Sequence, residues 1–145
     1  MRRPSYHKIL RPSPKVEKYL GGLQAEIMEL VWHRHPVTVR DVMNELAPTR
    51  PLAYTTVMTV MSRLAEKGLL HQKRDNKSFV YEPAVTADEF LSSLSRDIVR
   101  DLLQDFGQVA VSQFVSEIDS QDDGLAALEE AIRQAKASRT GSSSR

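Results

Sequence analysis

The residues with most chemical potential in this chain are Thr55, Thr56, Thr59 and Arg63. At about 100° per residue, Thr55, Thr59, Ser62 and Glu66 fall on one helix face opposite Val57 and Leu64. Thr56 and Arg63 flank that face on one side and Met58 on the other. A threonine hydroxyl can donate to or accept from a base edge or a phosphate, and its methyl can meet that of thymine. Arginine can grip guanine with two parallel bonds or clamp a phosphate. Threonine is a mediocre helix former, so three of them on an outer face do nothing for the helix itself. The face reads either as an ordinary solvated surface or as a reader of the DNA major groove, and its composition favours the reader. Tyr54, at the head of the same segment, joins the candidate set.

Cations lie on both sides of this segment. Arg40 and Arg50 precede it, and Lys73, Arg74 and Lys77 cluster in the polar stretch after it. They read as a charged, solvated turn or as phosphate contacts, and the neighbouring threonine face favours contact. Histidine offers no metal site: His33 and His35 are two apart and would diverge by about 200° on a helix, while His7 and His71 lie apart from them. There is no glycine-rich phosphate loop and no GxSxG elbow, and Asp122-Asp123 lacks the rest of a calcium loop. The sequence therefore predicts no enzyme, no metal and no cofactor.

The elements that must hold these residues are legible from periodicity. Leu23, Ile27, Leu30 and Val31 predict an amphipathic helix over 23–32 that stops at His35-Pro36. Thr38 offers an N-cap for a short helix carrying Val39, Val42, Met43 and Leu46. Pro48 and Pro51 bracket a turn, and the helix over 53–67, with Val57, Val60, Met61 and Leu64 on one face, ends at Gly68. Residues 69–73 and 79–82 then read as strands of a hairpin, with Asp75-Asn76 in the turn and Pro83 as its close. Helix, helix, helix, hairpin is the order of a winged helix-turn-helix, so the fold class is mainly α with a small β-hairpin wing.

Beyond Thr86, Phe90, Leu94, Ile98 and Leu102 recur every four residues, and Phe106 and Phe114 extend the apolar pattern past Gly107. After the acidic break at 119–124, a helix from Leu125 to about Ala135 carries Leu128 and Ile132 on one side. A winged helix closes its own small core, which leaves this stripe without an intramolecular partner. We read Phe90, Leu94, Ile98, Leu102, Phe106, Phe114, Leu128 and Ile132 as a homodimer interface. The expected organisation is a basic flexible arm over 1–19, a winged-helix DNA-binding domain over 20–84, a helical dimerisation region over 85–137 and a disordered tail over 138–145. The arm reads equally as a solubilising tail or as a contact to phosphate or minor groove.

At 145 residues and 16.4 kDa the chain has room for one small domain and an appendage. Its net charge of +1 conceals an asymmetry: residues 1–83 carry 14 Lys/Arg against 8 Asp/Glu, and residues 84–145 carry 6 against 11. That split joins a part that meets a polyanion to one that does not. No cysteine is present, which excludes disulfides and thiolate chemistry. No apolar run approaches the roughly 18 residues of a membrane span, and no signal peptide follows the basic N-terminus, so the expected location is cytoplasmic.

Leu20-Gly21-Gly22-Leu23 through Ile27-Met28-Glu29-Leu30-Val31-Trp32, Thr38-Val39-Arg40-Asp41-Val42, Ala53-Tyr54-Thr55-Thr56-Val57-Met58-Thr59-Val60-Met61-Ser62-Arg63-Leu64, Lys67-Gly68-Leu69 and Tyr81-Glu82-Pro83 together resemble the penicillinase-repressor family over about residues 20–118. The resemblance implies a homodimeric winged-helix repressor on a palindromic double-stranded DNA operator, in many relatives that of β-lactamase or other antibiotic-resistance genes. It also implies relief by a protease under the control of a membrane sensor, with a scissile bond at Gln113–Phe114. Relatives with known cleavage carry Asn where this chain has Gln113. A branch of copper-responsive repressors senses metal through a C-terminal cysteine cluster that this chain lacks. The basic arm is longer than the family pattern, and Asn76-Lys77 stands where relatives often have Gly-Arg. Two other readings remain at this stage: a winged-helix protein-interaction module without specific DNA binding, and a regulator with a small ligand between its dimerisation helices.

Overall fold

Proline suits the first turn of a helix, where its fixed φ helps and its missing N–H is not needed. Pro14 accordingly opens α1 (Pro14–Leu20) in the computed structural model, which describes residues 14–142. Gly21, at φ +82°, separates α1 from α2 (Gly22–His33). Next comes α3 (Val39–Leu46), whose start is closed by a reciprocal capping box. Thr38 Oγ1 accepts from the Asp41 N–H at 3.1 Å, and Asp41 Oδ2 accepts from the Thr38 N–H at 2.9 Å.

Helix α4 (Tyr54–Glu66) ends in a Schellman turn. The Leu69 N–H reaches the Leu64 carbonyl at 2.9 Å and the Gly68 N–H reaches that of Ala65 at 3.0 Å. Gly68 sits at φ +79°, where a side chain would be strained. The chain then enters β1 (Leu70–Asp75) and returns as β2 (Ser78–Pro83), antiparallel, in register from Leu70 opposite Pro83 to Asp75 opposite Ser78. Two residues make the turn, Asn76 and Lys77, and Asn76 takes the left-handed conformation at φ +55°. The turn therefore lies one residue beyond the expected Asp75-Asn76, and each strand runs closer to the tip. Val37 adds a bridge on the other side of β2, exchanging backbone bonds with Tyr81 at 3.1 and 2.8 Å. That bridge ties the α2–α3 connection to the base of the hairpin.

The chain divides into two units, up to Leu94 and from Ser95. In the first, Ile27, Met28 and Val31 of α2, Val42 and Leu46 of α3, and Val57, Met61 and Leu64 of α4 form one sealed core with Leu70 and Tyr81 of the hairpin. Each such aliphatic side chain stabilises the fold by about 1.5–3 kcal/mol when fully buried. A second cluster holds Val16 of α1, Ala25 of α2 and Phe90, which stands in the first turn of α5 (Ala87–Phe106). Thr86 caps α5, its Oγ1 accepting from the Glu89 N–H at 3.0 Å. The mainly helical architecture with a hairpin wing is thus the expected winged helix-turn-helix.

The second unit comprises the rest of α5, then α6 (Gln108–Asp119) and α7 (Gly124–Ser142). None of its described residues is buried. Gly124, at the turn into α7, has no room for a side chain, because an added Cβ would overlap the Ile118 carbonyl oxygen.

Three expectations need correction. The arm read over residues 1–19 is helical from Pro14 onward, because Val16 and Leu20 find apolar cover; its residues 1–13 lie outside the described residues. The tail read as disordered from residue 138 continues α7 through Ser142, and residues 143–145 lie outside the described residues. Phe90 faces its own unit instead of a partner: it is 9% exposed, and its ring lies 6.0 Å from that of Trp32.

Candidate nucleic-acid interface

Helix α4 is anchored by Val57, Met61 and Leu64, each fully buried, which fixes the direction of its opposite face. Thr55, Thr56, Thr59 and Arg63 are all exposed on it, Ser62 is half-buried, and Tyr54 is exposed on the side of the helix toward the hairpin groove. Thr59 Oγ1 donates to the Thr55 carbonyl at 2.8 Å. Its hydroxyl proton is therefore engaged within the helix, leaving its lone pairs and its methyl to face outward. Thr55 and Thr56 lie within the first turn; the Thr56 N–H already donates to the Ala53 carbonyl at 3.1 Å.

A groove of about 630 Å³ runs between this helix, the start of α3 and the hairpin. Arg40 lines it from α3, Tyr54, Met58 and Ser62 from α4, and Gln72, Lys77, Ser78 and Phe79 from the hairpin. The structure thus brings Arg40, Tyr54 and Lys77, distant in sequence, to one concave surface. Gln72 Nε2 donates to the Tyr81 hydroxyl at 3.1 Å, which fixes the floor of the groove at the hairpin base.

The candidate cations differ in what holds them. Arg40, Arg63 and Lys77 have no ion pair among the described residues. Arg50 reaches Glu26 Oε1 of α2 at 3.3 Å, and Lys73 donates to Glu82 Oε2 at 2.7 Å across the hairpin. Arg74 lies 6.0 Å from the centre of the Phe79 ring. The Lys73–Glu82 pair is exposed and contributes about 0–1 kcal/mol, so Lys73 can be drawn to a phosphate at small cost, whereas the Arg50–Glu26 pair is partly buried. The hydrogen bond from Lys73 holds the Glu82 carboxyl below the usual carboxylate range; the Lys73 charge and those of His35 and His71 act in the same direction, against partial desolvation.

Of the residues read as a dimer interface, Leu102, Phe106, Phe114 and Ile132 are 45–59% exposed, while Ile98 and Leu128 are half-buried in the second unit. Leu94 packs beside Phe90 in the first unit. Gln113 and Phe114 are exposed in the middle of α6, so cleavage between them would require that helix to unwind first. His33 and His35 each direct Nδ1 to a backbone carbonyl of α2, of Glu29 at 2.8 Å and of Val31 at 3.1 Å, and so serve the end of that helix. Among the described residues no group of three or more His, Asp or Glu side chains is placed to hold a metal ion.

Sequence reasoning missed Met58, Gln72, Ser78 and Phe79 as members of the groove. Met58 was visible beside the threonine face, but nothing in helical spacing shows that the hairpin folds over that side.

A family model described as penicillinase repressor matches residues 20–134. The transcriptional regulator BlaI of Mycobacterium tuberculosis is 40% identical over 106 residues, which cover 71% of this chain and 76% of that protein. The methicillin resistance regulatory protein MecI of Mammaliicoccus sciuri is 23% identical over 109 residues, covering 75% of this chain and 89% of that one. Among solved structures, the DNA-binding domain of the repressor BlaI superposes with a TM-score of 0.42 at 27% identity, over 46% of this chain and 80% of that one. The matched stretch runs from the end of α1 into α7 and takes in the whole of α4 and the hairpin; on that match, this chain belongs to the penicillinase-repressor family of transcriptional repressors.

Proposed function

We propose that the protein represses transcription as a homodimer bound to a palindromic operator, in the cytoplasm. The observation that carries this is the outward face of α4, where Thr55, Thr56, Thr59 and Arg63 are exposed, together with the groove that Tyr54, Met58 and Ser62 of the same helix share with Arg40 and Lys77, neither ion-paired among the described residues. Thr55, Thr56, Thr59 and Arg63 read base edges in the major groove. Arg40, Arg50, Lys73, Arg74 and Lys77 neutralise phosphates, and Tyr54 flanks the entry to the groove. The family match and the BlaI and MecI relatives support the same reading.

The exposed apolar side chains of the second unit supply the dimer contact. A twofold dimer sets two recognition helices about 34–36 Å apart, one turn of DNA, and so calls for dyad-symmetric half-sites. Relief of repression by a sensor-controlled protease cutting Gln113–Phe114 rests on the family resemblance, with unwinding of α6 as its precondition.

Binding to the upstream region of its own gene, against shuffled DNA of equal length and at several salt concentrations, tests the proposal. The expected result is a preference of about 10³ or more with a steep salt slope. Equal, weak binding to both duplexes, or none at low salt, would overturn it. Arg63→Ala should lose about 1–3 kcal/mol of discrimination at one base pair, whereas an equal fall on operator and shuffled DNA would make Arg63 a phosphate contact.

A further inference from the structure

Phosphates and polar base edges account for the cations and threonines of this surface but not for its apolar members. Four large apolar side chains are exposed among the described residues of the first unit, and three of them line the one groove: Tyr54 at 44%, Met58 at 40% and Phe79 at 48%. The fourth, Tyr19, belongs to α1. Leaving such groups in water does nothing for stability, since the core of this unit is closed without them.

Met58 is the central one. It stands one turn from Tyr54 and one turn from Ser62, so these three line the groove along α4. Arg40 and Lys77 line the same groove from its other walls, and neither is ion-paired among the described residues. A groove with an apolar centre and cationic walls fits a polyanion that displays an apolar group. In the major groove of DNA, the apolar group on a base edge is the 5-methyl of thymine.

We infer that Met58 is a specificity-determining residue that reads a thymine 5-methyl group in each operator half-site. This rests on the DNA-reading proposal above. Cytosine in that place presents no methyl, and adenine or guanine presents a polar edge to an apolar side chain, so both are disfavoured. Tyr54 and Phe79 border the contact and exclude water from it.

The test uses the full chain and a duplex selected by it from a random-sequence library. Each thymine of that duplex is replaced singly by deoxyuridine, which removes the methyl and leaves every base-pairing group in place. At one thymine per half-site the native protein should bind about fourfold more weakly, the effect of one buried methyl. Met58→Ala should abolish that penalty and keep the response at all other positions, while Met58→Leu should retain it. Met58→Gln, polar and close in length, serves the same purpose should the alanine variant fail to fold.

A penalty that persists unchanged in the Met58 variants would overturn the inference in favour of a threonine methyl. So would a selected duplex that is preferred strongly yet tolerates deoxyuridine throughout. Failure to select any preferred duplex would instead overturn sequence-specific DNA binding, and the inference with it.

Discussion

Up to Leu94 the apolar residues of successive helices close on one another, and Val57, Met61 and Leu64 have no exposed surface at all. From Ser95 the helices carry apolar residues at similar spacing, yet Val99, Leu102, Leu103, Phe106, Val109, Phe114 and Ile132 are each 45–63% exposed. Amphipathic periodicity states that a face needs cover; it does not state which chain provides it. In the first unit the cover is local, because three helices and a hairpin converge on a shared centre. In the second, three helical segments bury no residue completely, and the proposed partner is a second copy.

The most severe way to break this contrast is to charge the uncovered face. Leu102→Asp or Phe106→Asp should convert the dimer to monomer in sedimentation velocity and weaken operator binding by about 10²–10⁴, the avidity of two linked half-site contacts. A dimer that survives both changes would place the interface elsewhere. Met61→Ala probes the other side: a cavity in the closed core should lower the stability of the first unit by about 2–5 kcal/mol, read by thermal denaturation. Its transition should not move with protein concentration, whereas unfolding of the dimer-dependent region should.

Smaller effects sharpen the picture within the first unit. Thr38→Ala removes half of the capping box on α3 and should cost about 1 kcal/mol in denaturant unfolding, leaving the dimer intact. The Lys73–Glu82 pair gives the smallest effect. Because the folded carboxyl titrates below its ordinary range, the pair is complete at neutral pH and is lost as pH falls through that lowered value. Lys73→Ala should move the Glu82 titration upward in an NMR experiment with little change in melting.

Local chemistry made much of this fold legible in sequence. Thr38 with Asp41, Gly68 after Leu64, and the apolar spacing of Val57, Met61 and Leu64 each specify structure within a few residues, and each element stands where that chemistry puts it. What escaped depends on contacts between distant residues. Helix α1 offers little apolar signal of its own and is recognisable only through Val16 meeting Ala25 and Phe90. Phe90 shares the spacing of Leu94, Ile98 and Leu102, and only Trp32 packing against it separates it from that stripe. Likewise the Arg50–Glu26 pair spans 24 positions, and Met58 joins Phe79 in a groove only once the hairpin folds back. The face of α4 that carries the candidate site was readable; which of its cations are already engaged was not.

Trp32 is the single tryptophan of the chain, and its surroundings make it an internal optical gauge. Its indole N–H donates to the Val85 carbonyl at 2.9 Å while its ring rests against Phe90, so one chromophore reports whether the start of α5 is seated on α2. Its emission should shift to longer wavelength when that seat opens. The native sequence therefore provides, without any label, a means of following how the first turn of α5 is held within the first unit.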